Sequence, residues 1–337
     1  MRLPSWGWAL LVLVLVLAFN AAFTPGFFGL EIREGRIYGS LIDILNRAAP
    51  VALLSLGMTL VIATGGVDLS VGAVMAVAGA VAASLIARPS GNPLAGIDLG
   101  GSIPMIVLAS LAVALACGYF NGILVSLLGL QPIVATLLLM VAGRGVAQLL
   151  ANGQIVTFTE PGFQRLATGS FLGLPNPVWI VAAAFGAFSL LTRATALGLF
   201  IEATGSNPVA ARYAGVNAKR IKQAVYVLSG LCAGIAGLIL TADIQAADAN
   251  NAGLYLELDA ILAVSVGGTA LTGGRFSLVG SMFGALLMQT LTTTILTRGV
   301  SPEITLVLKA LIVVVVCLLQ SPVFQQRAAR VLRRAQA

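Results

Sequence analysis

The chain has 337 residues, of which 58% are hydrophobic and only 9% charged, with a formal net charge of +7. Soluble domains carry roughly 25% charged residues, so most of this surface cannot face water, and a water-soluble enzyme or binding module is excluded. Histidine is absent and none of Lys219, Lys222 and Lys309 follows a glycine, which removes the commonest general base and any Walker-type phosphate loop.

The opening run, MRLPSWGWALLVLVLVLAFNAAFTPGFF, has an apolar centre from Trp6 to Phe23. It is long enough to span a membrane and has a poor small-residue cleavage pattern, so it reads as a retained first helix over 6–25. A spanning helix needs about 20 mainly apolar residues. Further stretches at 44–64, 69–87, 103–128, 131–150, 178–192, 221–242, 256–272, 277–297 and 304–320 meet or approach that length. The short ones, 178–192 and 256–272, read as tilted spans or half-helices. Lipid offers no partner to backbone amides, so the expected class is an all-α integral membrane protein. It is a polytopic bundle of about ten transmembrane helices, or eight with two re-entrant segments, forming one domain over 1–337. Cys117, Cys232 and Cys317 lie far apart inside apolar runs and read as small core hydrophobes.

In GGVDLSVGAVMAVAGAVAA, from Gly65 to Ala83, Asp68 is the only charge between Arg47 and Arg88. Two readings stay open. Asp68 caps the following helix through the amides of Ser70 and Val71, or it also borders a wet path through the bundle. In VAGRGVAQ, Arg144 stands between glycines, where close backbone approach would bring its guanidinium onto a carboxylate such as Asp259 or Glu257. Other polar groups within or beside the spans are Asn46, Asn121, Gln131, Gln148, Asn250, Asn251 and Gln289. Each is a candidate for lining a path for a neutral polar solute, or for a helix–helix hydrogen bond or cap. The run DIQAADANNAGLYLELDA, Asp243 to Ala260, concentrates polar groups beside a short span and reads as an external gate or a plain external loop.

Between spans, TRATALGLFIEATGSNPVAARYAGVNAKRIK runs from Thr192 to Lys222. Asn207 with Pro208 starts a short helix, Gly215 stops it, and a second start follows at Asn217. Such a helix is a natural knob for a partner's groove. Further on, GGRFSLVG from Gly273 repeats the glycines and the Val-Gly of GGVDLSVG from Gly65, with Arg275 and no acid. The pair suggests two equivalent helix breaks in a parallel internal repeat.

Charge sets the orientation. The loop 193–222 holds Arg193, Arg212, Lys219, Arg220 and Lys222 against Glu202, and the tail 323–337 holds Arg327, Arg330, Arg333 and Arg334 with no acid. Both are cytoplasmic by the positive-inside rule, as are both termini. Loops at 26–40, 88–102, 152–177 and 243–255 then fall outside. The basic patches flank helices without aromatic interleaving, so they suit anionic lipid headgroups or a cytoplasmic partner and not nucleic acid.

EATGSNPVAARYAGV resembles the coupling-loop signature of permease subunits of bacterial ABC sugar importers, the ribose/xylose/galactoside-type family. NRAAPVALLSLGMTLVIATGGVDLSVGAVMAVAG, QPIVATLLLMVAGRGVAQLLANGQIV and YVLSGLCAGIAGLILTADIQAADANNAGLYLELDAILAVSVGGTALTGGRFSLVG extend the resemblance over Asp43 to Gln320. Within the family, ADANNAGLYLELDAILAV and NRAAPVALL are most similar to galactofuranose-type members. The resemblance implies a permease fold in the inner membrane that moves a monosaccharide, galactofuranose or a related pentose or hexose. It also implies a cytoplasmic ATPase, a periplasmic sugar-binding protein and a second permease, a paralogue or another copy. On it, Glu202, Gly205, Asn207, Ala210, Ala211 and Gly215 match the motif that docks in the ATPase. This chain would bind no cofactor, with ATP and Mg held by the ATPase. Asn46, Asp68, Asn121, Arg144, Gln148, Asn250, Asn251 and Asp259 are the translocation-path candidates. An ion-coupled secondary sugar transporter is the alternative, favoured by the glycine-rich repeat but leaving the coupling-type loop without a purpose. Neither Gly-x-Ser-x-Gly nor His-Glu-x-x-His occurs, so no enzyme is expected.

Overall fold

The computed structural model describes residues 6–33, 35–88, 92–94, 96–97, 100–301, 304–311 and 314. The rest of the expected span 304–320, with Cys317, and the basic tail 323–337 lie outside the described residues. In chain order the elements are α1 (Gly7–Phe23), the hairpin β1 (Glu31–Arg33) and β2 (Arg36–Tyr38), α2 (Ser40–Ala63), α3 (Val71–Ala87), α4 (Ile103–Ser126) and α5 (Pro132–Leu150). Then come β3 (Val156–Thr157), α6 (Pro161–Thr168), β4 (Ser170–Phe171), β5 (Leu174–Pro175), α7 (Asn176–Arg193), α8 (Leu197–Ser206) and α9 (Pro208–Tyr213). α10 (Ala218–Ile244), β6 (Ala246–Ala247), α11 (Leu256–Val266) and α12 (Leu278–Thr297) follow, and residues 304–311 are again helical.

Among the described residues α2, α4, α5, α10 and α12 are long and apolar enough to cross a membrane, and α7 with α8 passes only as a pair bent by 73°. α1 and α3 are apolar at 17 residues each. The expected span 178–192 is a full 18-residue helix, α7, whereas 256–272 shrinks to the 11-residue half-helix α11, stopped at Gly267. The short helix α8 was not expected as a separate element.

Loops collect at two ends. At one end the β1–β2 hairpin meets the 152–177 segment through Ile37 N–H to Gly173 O (2.9 Å), β3 pairs with β6, and the Asn92 amide donates to Leu150 O. At the other, the Gly274 amide donates to Ala63 O (2.9 Å), and the hydroxyls of Thr136 and Tyr226 each reach Val67 O at 3.4 Å. The first set is the group of loops that the charge pattern puts outside, and the second adjoins the basic loop. The segregation matches the alternation read from the sequence.

The core is built on α10, which packs on α2, α3 and α4. α3 is buried from Val71 to Leu85, possible because its Gly, Ala and Val side chains are small on every face. Helices in lipid gain little from apolar burial against each other, so close backbone contact and interhelical hydrogen bonds must hold them. A Cβ on Gly230 of α10 would stand 2.6 Å from Ala114 O and 2.9 Å from Gly118 Cα of α4. Thr59 Oγ1 of α2 donates to Ser281 Oγ of α12 (2.7 Å), and Asn20 Nδ2 of α1 donates to Thr294 Oγ1 of α12 (2.7 Å). By contrast α4 and α5 leave Leu108, Leu138, Val141 and Leu149 exposed. That face belongs to lipid or to another subunit.

The α4–α10 contact has no room for a side chain. Gly230→Val should destabilise the purified chain by about 1–3 kcal/mol, the usual cost of overpacking. Thermal unfolding in detergent reads it, and an unchanged midpoint would refute the close approach.

Candidate functional site

A cavity of about 630 Å³ opens at the end opposite the basic loop. Its wall is made by the first turns of α2 (Asp43, Asn46, Arg47), the last turn of α10 (Asp243), Asp259 of α11, Gln289 and Thr293 of α12, and Lys309. Pro50, inside α2 and also in the wall, has no amide hydrogen for the carbonyl of Asn46 one turn back. The side-chain Oδ1 of Asn46 is also buried without a hydrogen-bond partner. Asn46 therefore keeps acceptors without intramolecular partners beside the cavity, and Asp43 and Asp243 add carboxylates to its wall. Asp259 is held by Lys309 at 2.7 Å, an ion pair tying α11 to the last helical run. Such a wall suits a neutral solute rich in hydroxyl groups, which needs acceptors and few uncompensated charges.

Among the described residues Arg144 makes no direct ion pair with a carboxylate, although the Glu257 charge lies near enough to act on it. Its Nη1 donates to the carbonyls of Ala249 (3.1 Å) and Ala252 (2.6 Å), in the turn between β6 and α11. One helical turn on, Gln148 Nε2 donates to Asn250 Oδ1 (2.7 Å). The spacing of four puts both side chains on one face of α5, so that face grips the turn. Inside the turn, Asp248 accepts from the amides of Asn250 and Asn251 and from the Asn251 side chain (2.7 Å). The turn is not a plain external loop. A Cβ on Gly72, in the first turn of α3, would land on the carbonyl of Gly253 and on Glu257. At 1.5 Å per residue that point is roughly 20 Å in from the far end of α3, so the segment re-enters the bundle before α11 begins. Arg144 pairs with backbone because the carbonyls that end a turn are unsatisfied and attract a cation, where Asp259 already has Lys309.

Asp68 and Asn121, 1% and 0% exposed, are not in the cavity wall. Oδ1 of Asp68 accepts from Ser70 Oγ (2.6 Å) and the Ser70 amide (3.1 Å), and Oδ2 accepts from Ser229 Oγ of α10 (2.8 Å). Asn121 of α4 donates to Ser70 Oγ (2.8 Å). The expected cap is half there: the Ser70 amide takes part, while a serine from another helix stands where Val71 was expected. The carboxylate ties the start of α3 to α10 and, through Ser70, to α4. Enclosed by donors, it needs no water.

In the basic loop, Asn207 Oδ1 accepts from the amides of Val209 and Ala210, both 3.0 Å, and Pro208 fills the first turn of α9. Gly215 follows with φ +85°, and Asn217 accepts from the amide of Arg220 at 3.2 Å to start α10. Asn207, Ala210 and Gly215 are exposed, Ala211 is buried, and Glu202 and Gly205 are half-buried. Gly205 lies where α8 meets both glycine breaks. A Cβ there would fall on Ala63 O and stand 2.6 Å from the Gly274 amide, while one on Gly273 would meet the Gly65 amide at 2.8 Å. The two repeats recognised in the sequence touch each other, and α8 rests on their junction. Asp68 is buried in its break and Arg275 exposed in the other, where Ser277 caps α12 through the amide of Gly280.

The structure thus divides the path candidates. Asn46 and Asp259 line the cavity, Arg144, Gln148, Asn250 and Asn251 hold the re-entrant turn, and Asp68 and Asn121 form the inner cluster. Sequence reasoning placed Asp243 only within the polar run 243–260 and missed Ser229, because one serine in an apolar run carries no pattern. The hydroxyl run Thr292–Thr294 was a usable signal for the cavity wall.

The family model described as branched-chain amino acid transport system / permease component matches residues 40–317. The galactofuranose transporter permease protein of Escherichia coli (strain K12) is 54% identical over 96% of this chain and 92% of its own. The fructose import permease protein of Bifidobacterium longum is 40% identical, covering 97% and 90%. The ribose import permease protein of Escherichia coli (strain K12) is 37% identical, covering 93% and 92%. No solved structure matches the chain.

Asp68→Ala should leave the Ser70 and Ser229 hydroxyls without their acceptor, at about 1–3 kcal/mol for each buried orphan. A lowered unfolding temperature in detergent, partly restored in Asp68→Asn, is the expected result. Arg144→Leu should release the turn at 249–252. Hydrogen exchange of the amides in 250–256 should then quicken by roughly 10–100-fold, the worth of a hydrogen bond to a charged group; unaltered exchange would show that the guanidinium does not hold the turn.

Proposed function

The chain belongs to the permease-component family of the branched-chain amino acid transport system type, and on that premise we propose how it works as the permease subunit of a sugar importer. It is a multi-pass membrane protein and a transporter subunit. The sugar is galactofuranose or a closely similar monosaccharide, a reading supported by the 54% identity to the galactofuranose transporter permease over nearly the full length of both chains. The sugar-binding protein delivers it at the outer end, where the cavity of α2, α10, α11 and α12 receives it. Asn46, Asp43 and Asp243 accept from its hydroxyl groups, and the Asp259–Lys309 pair keeps the wall close to neutral.

Energy comes from a partner. This chain binds no cofactor; a cytoplasmic ATPase holds ATP and Mg and takes α9 in its groove, with Val209 and Tyr213 exposed one turn apart as the knob. A second permease, a paralogue, completes the path, and both termini are cytoplasmic. The observation that carries the coupling is the contact of Gly205 with Ala63 and Gly274. A push on α9 reaches α8, and α8 bears on the junction from which α3 and α12 start. Glu202, Asn207, Ala210, Ala211 and Gly215 shape the loop that receives the push.

Gly205→Val should separate α8 from the junction. In proteoliposomes holding the chain with its ATPase, second permease and binding protein, the variant should hydrolyse ATP while sugar uptake falls at least about tenfold, a loss of about 1.4 kcal/mol in coupling. Uptake that stays proportional to hydrolysis would sink the linkage. Ion-driven uptake by the chain alone, without ATPase, would overturn the importer reading itself.

A further inference from the structure

We propose that a small pocket between the two outer hairpins and the start of α2 is an entry subsite that takes a single sugar ring. The pocket measures about 140 Å³, and its polar lining includes Arg36 and Tyr38 of β2, Asp43 and Asn46 of α2, and Ser170 of β4. Asp43, Asn46 and Ala167 also line the large cavity, so the two spaces share a wall. The cavity reaches Pro50 and Val51, roughly 15 Å along α2 from its start, whereas the pocket stops at Asn46 and is closed by the hairpins. The pocket is therefore the outer of the two. The inference rests on the reading of the large cavity as the place that receives the sugar.

The hairpins frame the pocket. The amide of Ile37 donates to Gly173 O at 2.9 Å and joins β2 to the turn between β4 and β5. Gly173 has φ +81°, and a Cβ there would stand 3.2 Å from Ile37 Cγ1, so the hairpins meet closely where a side chain is missing. Arg36 Nη1 donates to Thr168 O at 3.2 Å, which anchors the guanidinium. That bond uses one of five donors, and the residue is exposed, so the fork is both held in place and available to a ligand.

The lining selects the class of ligand. Arg36 and Asp43 are its charged residues, one of each sign, so no net charge favours an ion. Between them they supply donors and acceptors, Ser170 supplies both, and Tyr38, 45% exposed, adds an aromatic face. That set matches a sugar ring, with hydroxyl groups around its edge and C–H groups on its faces. Size narrows the choice further. Sites for drug-sized ligands run about 300–1,000 Å³, and a pocket of 140 Å³ has room for one ring and not for two.

Thiol protection on the full chain in bilayer discs tests the subsite. Ser170→Cys reports on the pocket and Thr293→Cys on the large cavity. Labelling of the wild type, through Cys117, Cys232 and Cys317, is the background. The probe is methyl β-galactofuranoside, a single ring locked in one form, with lactose as the two-ring control. The monosaccharide should slow labelling by a water-soluble maleimide in both variants, and lactose should leave labelling of Ser170→Cys unchanged. Adding Arg36→Gln should raise the sugar concentration that half-protects Ser170→Cys about tenfold, the usual loss for a hydrogen bond to a charged group. Tyr38→Leu should raise it as well, and Tyr38→Phe, which keeps the ring, should not. Protection of Thr293→Cys should survive these changes, which shows that the chain still folds. Protection of Thr293→Cys alone overturns the entry subsite and leaves the cavity reading standing, whereas protection of neither overturns both. Equal protection of Ser170→Cys by lactose overturns the one-ring limit. Protection by the sugar-free binding protein, with none by the sugar, overturns the subsite and assigns the hairpins to docking.

Discussion

The amide of Gly274 donates to the carbonyl of Ala63 at 2.9 Å, and through that bond two helix breaks satisfy each other. A break inside a membrane protein frees backbone groups that lipid cannot solvate, so it survives only where protein supplies the partners. The break after α2 and the break before α12 do this mutually. The price is geometric: Gly65, Gly273 and Gly274 take positive φ, and Gly205 of α8 must lack a side chain to reach them. Once this joint forms, the directions of α3, α8 and α12 are set relative to one another.

Two polar regions follow from it and differ in kind. Near the joint, Asp68 is closed in by Ser70 and Ser229, and the result is rigid. At the far end, Asp43 and Asp243 are exposed at the wall of an open cavity, with Asn46 beside them. A buried carboxylate enclosed by hydroxyl and amide donors makes a structural tie, and carboxylates at the wall of an open cavity make a place for a ligand. The same residue types serve both ends, and access to open space separates the carboxylates' roles. Between them, Arg144 and Gln148 hold the re-entrant turn that sets where α11 begins, and so where Asp259 stands.

Much of the fold was legible because lipid imposes a simple code. Apolar length marks a span, and the basic loop marks one end; α2, α4, α5, α10 and α12 fall within a few residues of the stretches read from the chain. The short helix α9, with its Asn207 start and Gly215 stop, was legible because caps are local chemistry. The partners of Asp68, Arg144 and Asp259 were not. Each meets groups on a distant segment, 161, 108 and 50 positions away in the chain, and no spacing within one sequence encodes that distance.

By itself, then, the sequence determined the class of protein, the positions of the long apolar stretches, the recurrence of the glycine pair and the shape of the basic loop. Each of these depends on neighbours along the chain or on the solvent around it. Only the tertiary structure decided that the two repeats touch, that the segment from Asp243 to Tyr255 turns back into the bundle, and that Asp68 is a tie while Asn46 stands beside a cavity. Those outcomes depend on which helix lies against which, and close backbone contact between distant glycines settles that.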